Sequence, residues 1–331
     1  MDIPAAPPIS DRLEAIGINQ SVCRAFESRR DQSARRLEEF AHNLSAIPSV
    51  KEWKNLTVYA AGSHARGDAS EHSDVDLWFL EDDCSSETAG TRRRNISTIQ
   101  VMSAVIDLMN SHGFPQPSND GEYLTVLSLK EVLTHLGNPP DDFLNHFTAR
   151  MLLLLESKPL SGVNSYNRCL DAVISAYLRD YKHHAADFRP NFLVNDILRY
   201  WRTLCLNYEH RRNDPKEADK LKHKVKNFKL GFSRMLICFS AVALISSRPM
   251  TDKDGLIRVF STTPLERLLV LGETVPTVAP KVADVICAYN WFLEKTAQPP
   301  ESLEQLFSDS EQKRDAFSRS KEFGDKIYDL V

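Results

Sequence analysis

Two aspartates stand one residue apart directly before a strongly apolar run, and this arrangement constrains the fold more than any other feature of the chain. Asp74 and Asp76 precede the run Leu77–Leu80, which has the composition of a buried strand. Ionised carboxylates are costly at the mouth of a buried strand unless something pairs with them. The sequence therefore predicts a charged ligand or ion at one end of a β-sheet.

A glycine-serine bend precedes these aspartates. A strand-like segment, NLTVYAAG, ends at Gly62, and ten residues separate Ser63 from Asp74. Glycine permits a tight turn and a close approach of the backbone to a ligand. We expect Ser63 to cap the helix that follows, because serine is a preferred N-cap residue and the free N–H groups of a helix N-terminus bind phosphate.

Strand alternation sends Asp74 and Asp76 to one face of the sheet and Val75 to the other. Two carboxylates on one face repel each other unless a cation lies between them. Mg²⁺ takes carboxylate oxygens together with substrate phosphates. A phosphate seat and a carboxylate pair thus predict a nucleoside triphosphate with its metal ion. His64, inside the bend, is interpreted as a surface residue.

The ordered combination GSHARGDASEHSDVDL resembles the DNA polymerase β-like nucleotidyltransferase superfamily, whose signature is Gly-Ser, a spacer and Asp-x-Asp at a strand start. The similarity to bacterial forms includes Arg66, Gly67, Asp68 and Ser73. Downstream, residues 148–162 and 192–209 resemble the helical region of bacterial nucleotidyltransferases related to the protein-PII uridylyltransferases.

The resemblance implies transfer of a nucleoside monophosphate from a triphosphate such as ATP to an acceptor hydroxyl, with release of pyrophosphate. It implies that Asp74 and Asp76 are catalytic and hold two Mg²⁺ ions, with Mn²⁺ as an alternative ion. Gly62, Ser63 and the nearby amides would bind the phosphates. Arg66 is a further candidate for phosphate contact, or a solvated or ion-paired residue of the first helical turn.

Members of this superfamily usually carry a third acidic residue on the next strand. Here that strand is EYLTVLSL, with no acid in its interior. Glu122 at its edge is the nearest candidate for a catalytic role, with Asp120 behind it, although both would also suit solvated turn positions. Glu131 is another candidate, and a catalytically weak site is the remaining alternative.

The second half of the chain offers candidate nucleotide-binding side chains on predicted helices. Arg199 and Arg202 lie one turn apart and would bracket a triphosphate, or would form an ion-paired helix face with Asp196. Lys226 belongs to a basic stretch, since residues 189–234 contain twelve Lys/Arg and five Asp/Glu. That excess suits RNA or polyphosphate, and equally an amphipathic helix kept soluble by lysines.

The predicted fold class is α+β, with a small mixed-sheet domain of the polymerase β-like type followed by an all-helical domain. The predicted parts are an N-terminal helical segment (1–47), a nucleotidyltransferase domain (48–137) and a helical C-terminal domain (138–331). Strand signals nearly vanish from Pro139 onward. The 331-residue length and 42% hydrophobic content suit a globular chain with a substantial core.

Composition argues against several other classes of protein. The formal net charge of -4 is too small and negative for general nucleic-acid binding. Six scattered cysteines predict reduced thiols in a cytoplasmic protein and argue against a zinc site or disulfide framework. No signal peptide or membrane span is expected.

Three functions remain open at this stage. The first is a nucleotidyltransferase acting on a protein, an RNA end or a small molecule. The second is a nucleotide second-messenger synthase, in which the acceptor is another nucleotide. The third is a catalytically impaired nucleotide-binding regulatory protein. The acceptor, the base and the oligomeric state do not follow from the sequence.

Overall fold

A computed structural model describes residues 9–19, 23–84, 95–116, 121, 124–179, 181, 188–212, 220–247 and 253–331. The chain divides into two compact units. The sheet unit comprises Arg29–Ala186 and Asp252–Phe260. The helical unit comprises Met1–Ser28, Asp187–Thr251 and Ser261–Val331. Each is described separately below.

The sheet unit is built from four short strands and the helices around them. Its strands are β1 (Leu56–Ala61), β2 (Asp76–Glu81), β3 (Val126–Ser128) and β4 (Lys158–Ser161). Its helices are most of α2 (Arg24–Ala46), α3 (Pro48–Lys51), α4 (Gly62–Arg66), α5 (Asn95–Ser111), α6 (Leu129–Thr134), α7 (Pro139–Phe143), α8 (His146–Leu155), α9 (Val163–Tyr177) and α13 (Lys253–Phe260).

The sheet is mixed and has the strand order β3-β2-β1-β4. The central strand β1 pairs antiparallel with β2 and with β4, whereas β2 pairs parallel with β3. The register places Ala61 beside Asp76, Ala60 beside Lys158, and Phe79 beside Val126. The last residues of β1 therefore lie at the same end of the sheet as the first residues of β2 and β4.

One face of the sheet carries the core of this unit. Val58, Leu77 and Phe79 are buried there, in one cluster with side chains of α2 and α5. The apolar side chains that α2 adds to this cluster follow helical spacing: Leu37, Phe40 and Leu44. On the other face, Tyr59 makes an edge-on ring contact with Tyr166 of α9, 6.1 Å between centroids. The sheet is thus covered by helices on both faces.

The helical unit contains no strand among its described residues. Its helices are α1 (Ile9–Ala15), the start of α2, α10 (Asn191–Arg212), α11 (Lys220–Lys229), α12 (Met235–Ser246), α14 (Pro264–Thr274), α15 (Ala279–Lys295), α16 (Pro300–Ser308) and α17 (Ser310–Tyr328). A π-helical turn, Leu230–Arg234, joins α11 to α12. Phe228 and Phe232 pack with aromatic rings of α15, α16 and α17 to form its core.

The segment Lys220–Ser246 is long and apolar enough to cross a membrane by length and composition alone. Of its most apolar window, 67% is buried inside the protein, as in the core helix of a soluble domain, so this signal is weak. All six cysteines are free thiols, and Cys23, Cys169 and Cys238 are buried.

The predicted fold class, a small mixed sheet followed by helices, is confirmed. The part of the chain from residue 138 onward is predicted to be all-helical, and β4 departs from this prediction by adding residues 158–161 to the sheet. This strand has four residues, contains Pro159 and lies at the sheet edge, where proline is tolerated. Its sequence therefore carries turn residues and little strand signal.

Candidate active site

The glycine-serine bend and Asp76, the second aspartate of the pair, meet at the end of the sheet where β1 ends and β2 begins. Asp76 is the first residue of β2 and pairs with Ala61, the last residue of β1. Gly62 follows with a left-handed φ of +73°, a conformation that favours glycine. A β-carbon at Gly62 would lie 2.6 Å from Oδ2 of Asp76. Glycine is therefore needed here for its backbone conformation and for the close approach to the carboxylate.

Ser63 lies inside the short helix α4, and not at its cap. The N-cap is Ala61, with extended φ and ψ, and no side chain accepts a capping hydrogen bond there. The expectation that Ser63 caps this helix is therefore wrong, although Ser63 does follow the bend directly. Ser63 is half-buried, as are Asp74 and Asp76, so all three residues are partly accessible to solvent.

The loop between α4 and β2 is held by its own hydrogen bonds. Gly67 ends α4 with a left-handed φ of +74°, and the Asp68 amide donates to the Ser63 carbonyl at 3.0 Å. Farther along, the Ser73 amide donates to the Ser70 carbonyl at 3.1 Å, and the Ser70 amide donates to Ser73 Oγ at 3.0 Å. Gly67, Asp68 and Ser73 therefore have a structural role, because these contacts hold the loop that leads to Asp74.

Helix α2 fixes the same loop from outside. Arg29 Nη1 donates to the carbonyl oxygen of Asp68 at 2.8 Å, and Arg36 Nη1 donates to that of Glu71 at 3.2 Å. Both arginines thereby satisfy backbone carbonyls that a loop cannot pair internally. Sequence reasoning missed this role, although the seven-residue spacing of Arg29 and Arg36 places them on one face of the helix.

His64 is buried, with 1% of its surface exposed, so its interpretation as a surface residue is wrong. Its Nε2 donates to the carbonyl oxygen of Ser73 at 3.4 Å, and its ring packs edge-on against Phe114. Burial, reinforced by the positive charge of Arg36, lowers the pKa of His64 to about 4, against the opposing effects of the Ser73 hydrogen bond and nearby carboxylates. His64 is therefore neutral at pH 7 and supports the residue before Asp74.

Residues 46–122 match the nucleotidyltransferase domain family. The match covers about a quarter of the chain and contains the bend, the aspartate pair and the loop between them. It supports the relation of this segment to the polymerase β-like nucleotidyltransferases and a transferase activity. Searches of curated proteins and of solved structures found no match.

Arg66 of the nucleotidyltransferase segment is buried between two carboxylates. Its Nε donates to Asp68 Oδ2 at 2.9 Å, and its Nη1 donates to Oε2 of Glu156, outside the matched segment. The side chain of Arg66 is 7% exposed and that of Glu156 is fully buried. The predicted contact of Arg66 with phosphate stays a prediction, and sequence reasoning gave no role to Glu156.

The candidates for a third acid differ in position. Glu122 and Asp120 lie outside the described residues. Glu131 lies on α6, just after Ser128, and Ser128 pairs with Glu81 at the far end of β2 from Asp76. Five residue steps along a strand span about 17 Å. Glu131 is therefore at the opposite end of the sheet from Asp76.

Two carboxylates at this site suit a hard divalent cation. Mg²⁺ commonly uses one or two protein carboxylates together with substrate phosphates and water, and Asp74 and Asp76 supply that number. Within the part of the chain that the structure describes, no group of three His, Cys, Asp or Glu residues is arranged to hold a metal ion.

The remaining candidate nucleotide-binding residues belong to the helical unit. Arg199 Nη1 lies 3.4 Å from Asp196 Oδ1, one turn earlier on α10, which is the ion pair considered as an alternative. Arg202 is exposed on the same helix, and Lys226 is exposed on α11. Their participation in nucleotide binding stays a prediction.

Proposed function

We propose that this chain is a Mg²⁺-dependent nucleotidyltransferase that moves a nucleoside monophosphate from a triphosphate to an acceptor hydroxyl. The observation that carries the proposal is the contact between Gly62 and the Asp76 carboxylate at the edge where β1 ends and β2 begins. The match of residues 46–122 to the nucleotidyltransferase domain family supports the same chemistry.

In this proposal, Asp74 and Asp76 hold the metal ions with their carboxylate oxygens. Two bound Mg²⁺ ions would lower the pKa of the acceptor hydroxyl and neutralise charge on the leaving pyrophosphate. The bend at Gly62 and Ser63 receives the terminal phosphates, because it lies beside the Asp76 carboxylate that would hold the metal. Glu122 is the proposed third acid.

The protein contributes mainly position and electrostatics, as is general for phosphoryl transfer. The loop before Asp74 is held by α2, by His64 and by its internal hydrogen bonds. We expect this support to limit rearrangement of the loop when charged substrates bind. A fixed loop is the physical basis expected for efficient transfer, since small displacements of catalytic groups are costly.

The test is incubation with each α-³²P-labelled triphosphate and Mg²⁺, with and without cell extract. Label in a protein or RNA supports macromolecular transfer, whereas a small labelled product supports a second-messenger synthase. Binding without turnover supports a regulatory nucleotide-binding protein and overturns the proposal of an active transferase.

The variant Asp74→Asn with Asp76→Asn should abolish labelling while the circular dichroism spectrum stays unchanged. Glu71→Gln is the matched control, because this carboxylate lies in the same loop with a side chain that is 69% exposed. Undiminished transfer by the double variant would refute the assignment of the site.

A further inference from the structure

A buried ion pair joins the bend to a part of the chain outside the nucleotidyltransferase match. Arg66, the last residue of α4, donates to Glu156, which caps the C-terminus of α8 just before β4. The Glu156 side chain is fully buried and that of Arg66 is 7% exposed. A buried charge is costly unless it is paired, and this contact offsets part of the cost of burying both side chains.

The strand register explains why Glu156 reaches the bend. Lys158 at the start of β4 pairs with Ala60 of β1, one residue before Ala61. Because the two strands are antiparallel, Glu156, two residues before Lys158, lies beside the end of β1. Asp76 lies at the same end of the strands as Glu156, but on β2, which pairs with the other side of β1. The strand that leads into Gly62 is therefore flanked by Asp76 on one side and by Glu156 on the other.

Arg66 also reaches the loop that leads to the catalytic aspartates. Its Nε donates to Asp68 Oδ2, while the backbone carbonyl of Asp68 accepts from Arg29. One guanidinium thus connects the α8–β4 junction with the loop that leads to Asp74. Arginine can bind two carboxylates at once through its planar fork of donors, whereas lysine presents a single compact charge.

We propose that Glu156 and Arg66 are positioning residues of the transfer reaction. Together they hold the bend at Gly62 and the loop before Asp74 in one fixed arrangement. This inference rests on the proposed function for its catalytic consequence, and on the buried contacts for its structural one. It extends the functional part of the chain beyond residue 122, to the junction before β4.

A second buried ion pair in the same unit provides a matched control. Arg150 of α8 binds Asp141 through two hydrogen bonds of 2.6 and 2.7 Å, and both side chains are fully buried. Asp141 belongs to α7, directly after α6, and α6 begins at the far end of β2 from Asp76. Asp141→Asn therefore removes a buried carboxylate charge without touching the bend.

The experiment compares Glu156→Gln with Asp141→Asn in the full chain, using the triphosphate found active in the labelling assay. We expect both variants to lose thermal stability, and Glu156→Gln alone to lower kcat, by up to ~100-fold, because a small misplacement of catalytic groups can cost that much. KM for the triphosphate should change less than twofold in both variants, because neither Glu156 nor Asp141 is proposed to contact the triphosphate. Equal losses of kcat in the two variants at matched Tm would overturn the proposal.

A double-mutant cycle tests whether the two residues act together. If they do, Arg66→Gln with Glu156→Gln should lower kcat no further than the more damaging single variant. Additive losses of kcat would overturn the joint role. Glu156→Asp, which keeps the charge and shortens the side chain, serves if Glu156→Gln does not fold, and it should still lower kcat.

Amide hydrogen exchange separates failure of this inference from failure of the proposed function. Glu156→Gln should raise exchange in residues 62–74, and Asp141→Asn should not, whether or not the protein shows transfer. Unchanged exchange in residues 62–74 of Glu156→Gln would overturn the positioning role. Absent transfer in the wild type would refute only the proposed activity.

Discussion

The backbone of Gly62 packs directly against the carboxylate of Asp76. A β-carbon on Gly62 would come within 2.6 Å of Asp76 Oδ2, closer than such atoms approach in proteins. Gly62 also adopts a left-handed φ of +73°. Any other residue at this position therefore incurs two separate costs, one in backbone strain and one in displacement of Asp76.

Gly62→Ala should accordingly reduce transfer activity by more than its loss of stability explains. Backbone strain at such a position costs about 1–3 kcal/mol, while the added methyl forces the Asp76 carboxylate away from the bend. Denaturant unfolding measures the first effect, and transfer of label at saturating Mg²⁺ measures the second.

Gly113→Ala is the control for this variant, since Gly113 has a φ of +65° and no atom within 4 Å of an added β-carbon. It should lose a similar amount of stability and keep its activity. If both alanine variants lose the same fraction of activity, the contact between Gly62 and Asp76 has no functional importance.

The local part of this site follows from the sequence, and the long-range part does not. Turn chemistry and strand alternation act over a few residues, and they predict the bend at Gly62 and its closeness to Asp76 at the start of β2. Ser63 was assigned to the wrong helix position, since the residue with cap geometry is Ala61. The partnership of Arg66 with Glu156 depends on the pairing of β4 with β1, about 100 residues apart, and no local pattern encodes that pairing.

The burial of His64 is another long-range effect. In sequence, His64 stands among small and charged residues, which suggests an exposed turn. In the structure, α4 is covered so completely that His64, Ala65 and Arg66 are all buried. The sequence reveals that α2 is amphipathic, but not which segment lies beneath it.

The buried His64 should make folding stability depend on pH. Burial and Arg36 lower the pKa of His64 to about 4 in the folded protein, whereas an unfolded histidine has a pKa near 6.5. The unfolded state therefore binds more protons between these values, so this contribution is complete above about pH 6.5 and is lost as the pH falls toward 4. The full effect is on the order of 3 kcal/mol.

Denaturant unfolding of wild type and His64→Gln between pH 4 and 7.5 measures this contribution. The difference in free energy of unfolding between the two proteins should shrink as the pH falls. His42→Gln is the control, because His42 is exposed on α2 and is solvated in both states. A constant difference between wild type and His64→Gln over this range would contradict the assignment.

Removal of one partner from the Arg150–Asp141 pair should destabilise the sheet unit strongly. Both side chains are fully buried, and Arg150 also donates to the Tyr177 hydroxyl at 3.1 Å. Asp141→Ala leaves a buried guanidinium without its counterion, at a cost of about 3–5 kcal/mol. Asp171→Ala is the control, because the ion pair of Asp171 with Lys253 is half exposed and its removal should cost under about 1 kcal/mol. Denaturant unfolding measures the loss of stability in both variants.

Glu122 and Glu131 should differ sharply in their importance for transfer. We expect Glu122→Gln to lower kcat by ~100-fold or more if Glu122 is the proposed third acid, because loss of a metal-binding carboxylate removes several kcal/mol of transition-state stabilisation. Glu131→Gln should keep kcat within about twofold of wild type, since Glu131 follows β3 at the far end of β2 from Asp76. Rates of label transfer across a Mg²⁺ titration measure both variants. A larger loss of kcat in Glu131→Gln than in Glu122→Gln would contradict the assignment of Glu122 as the third acid.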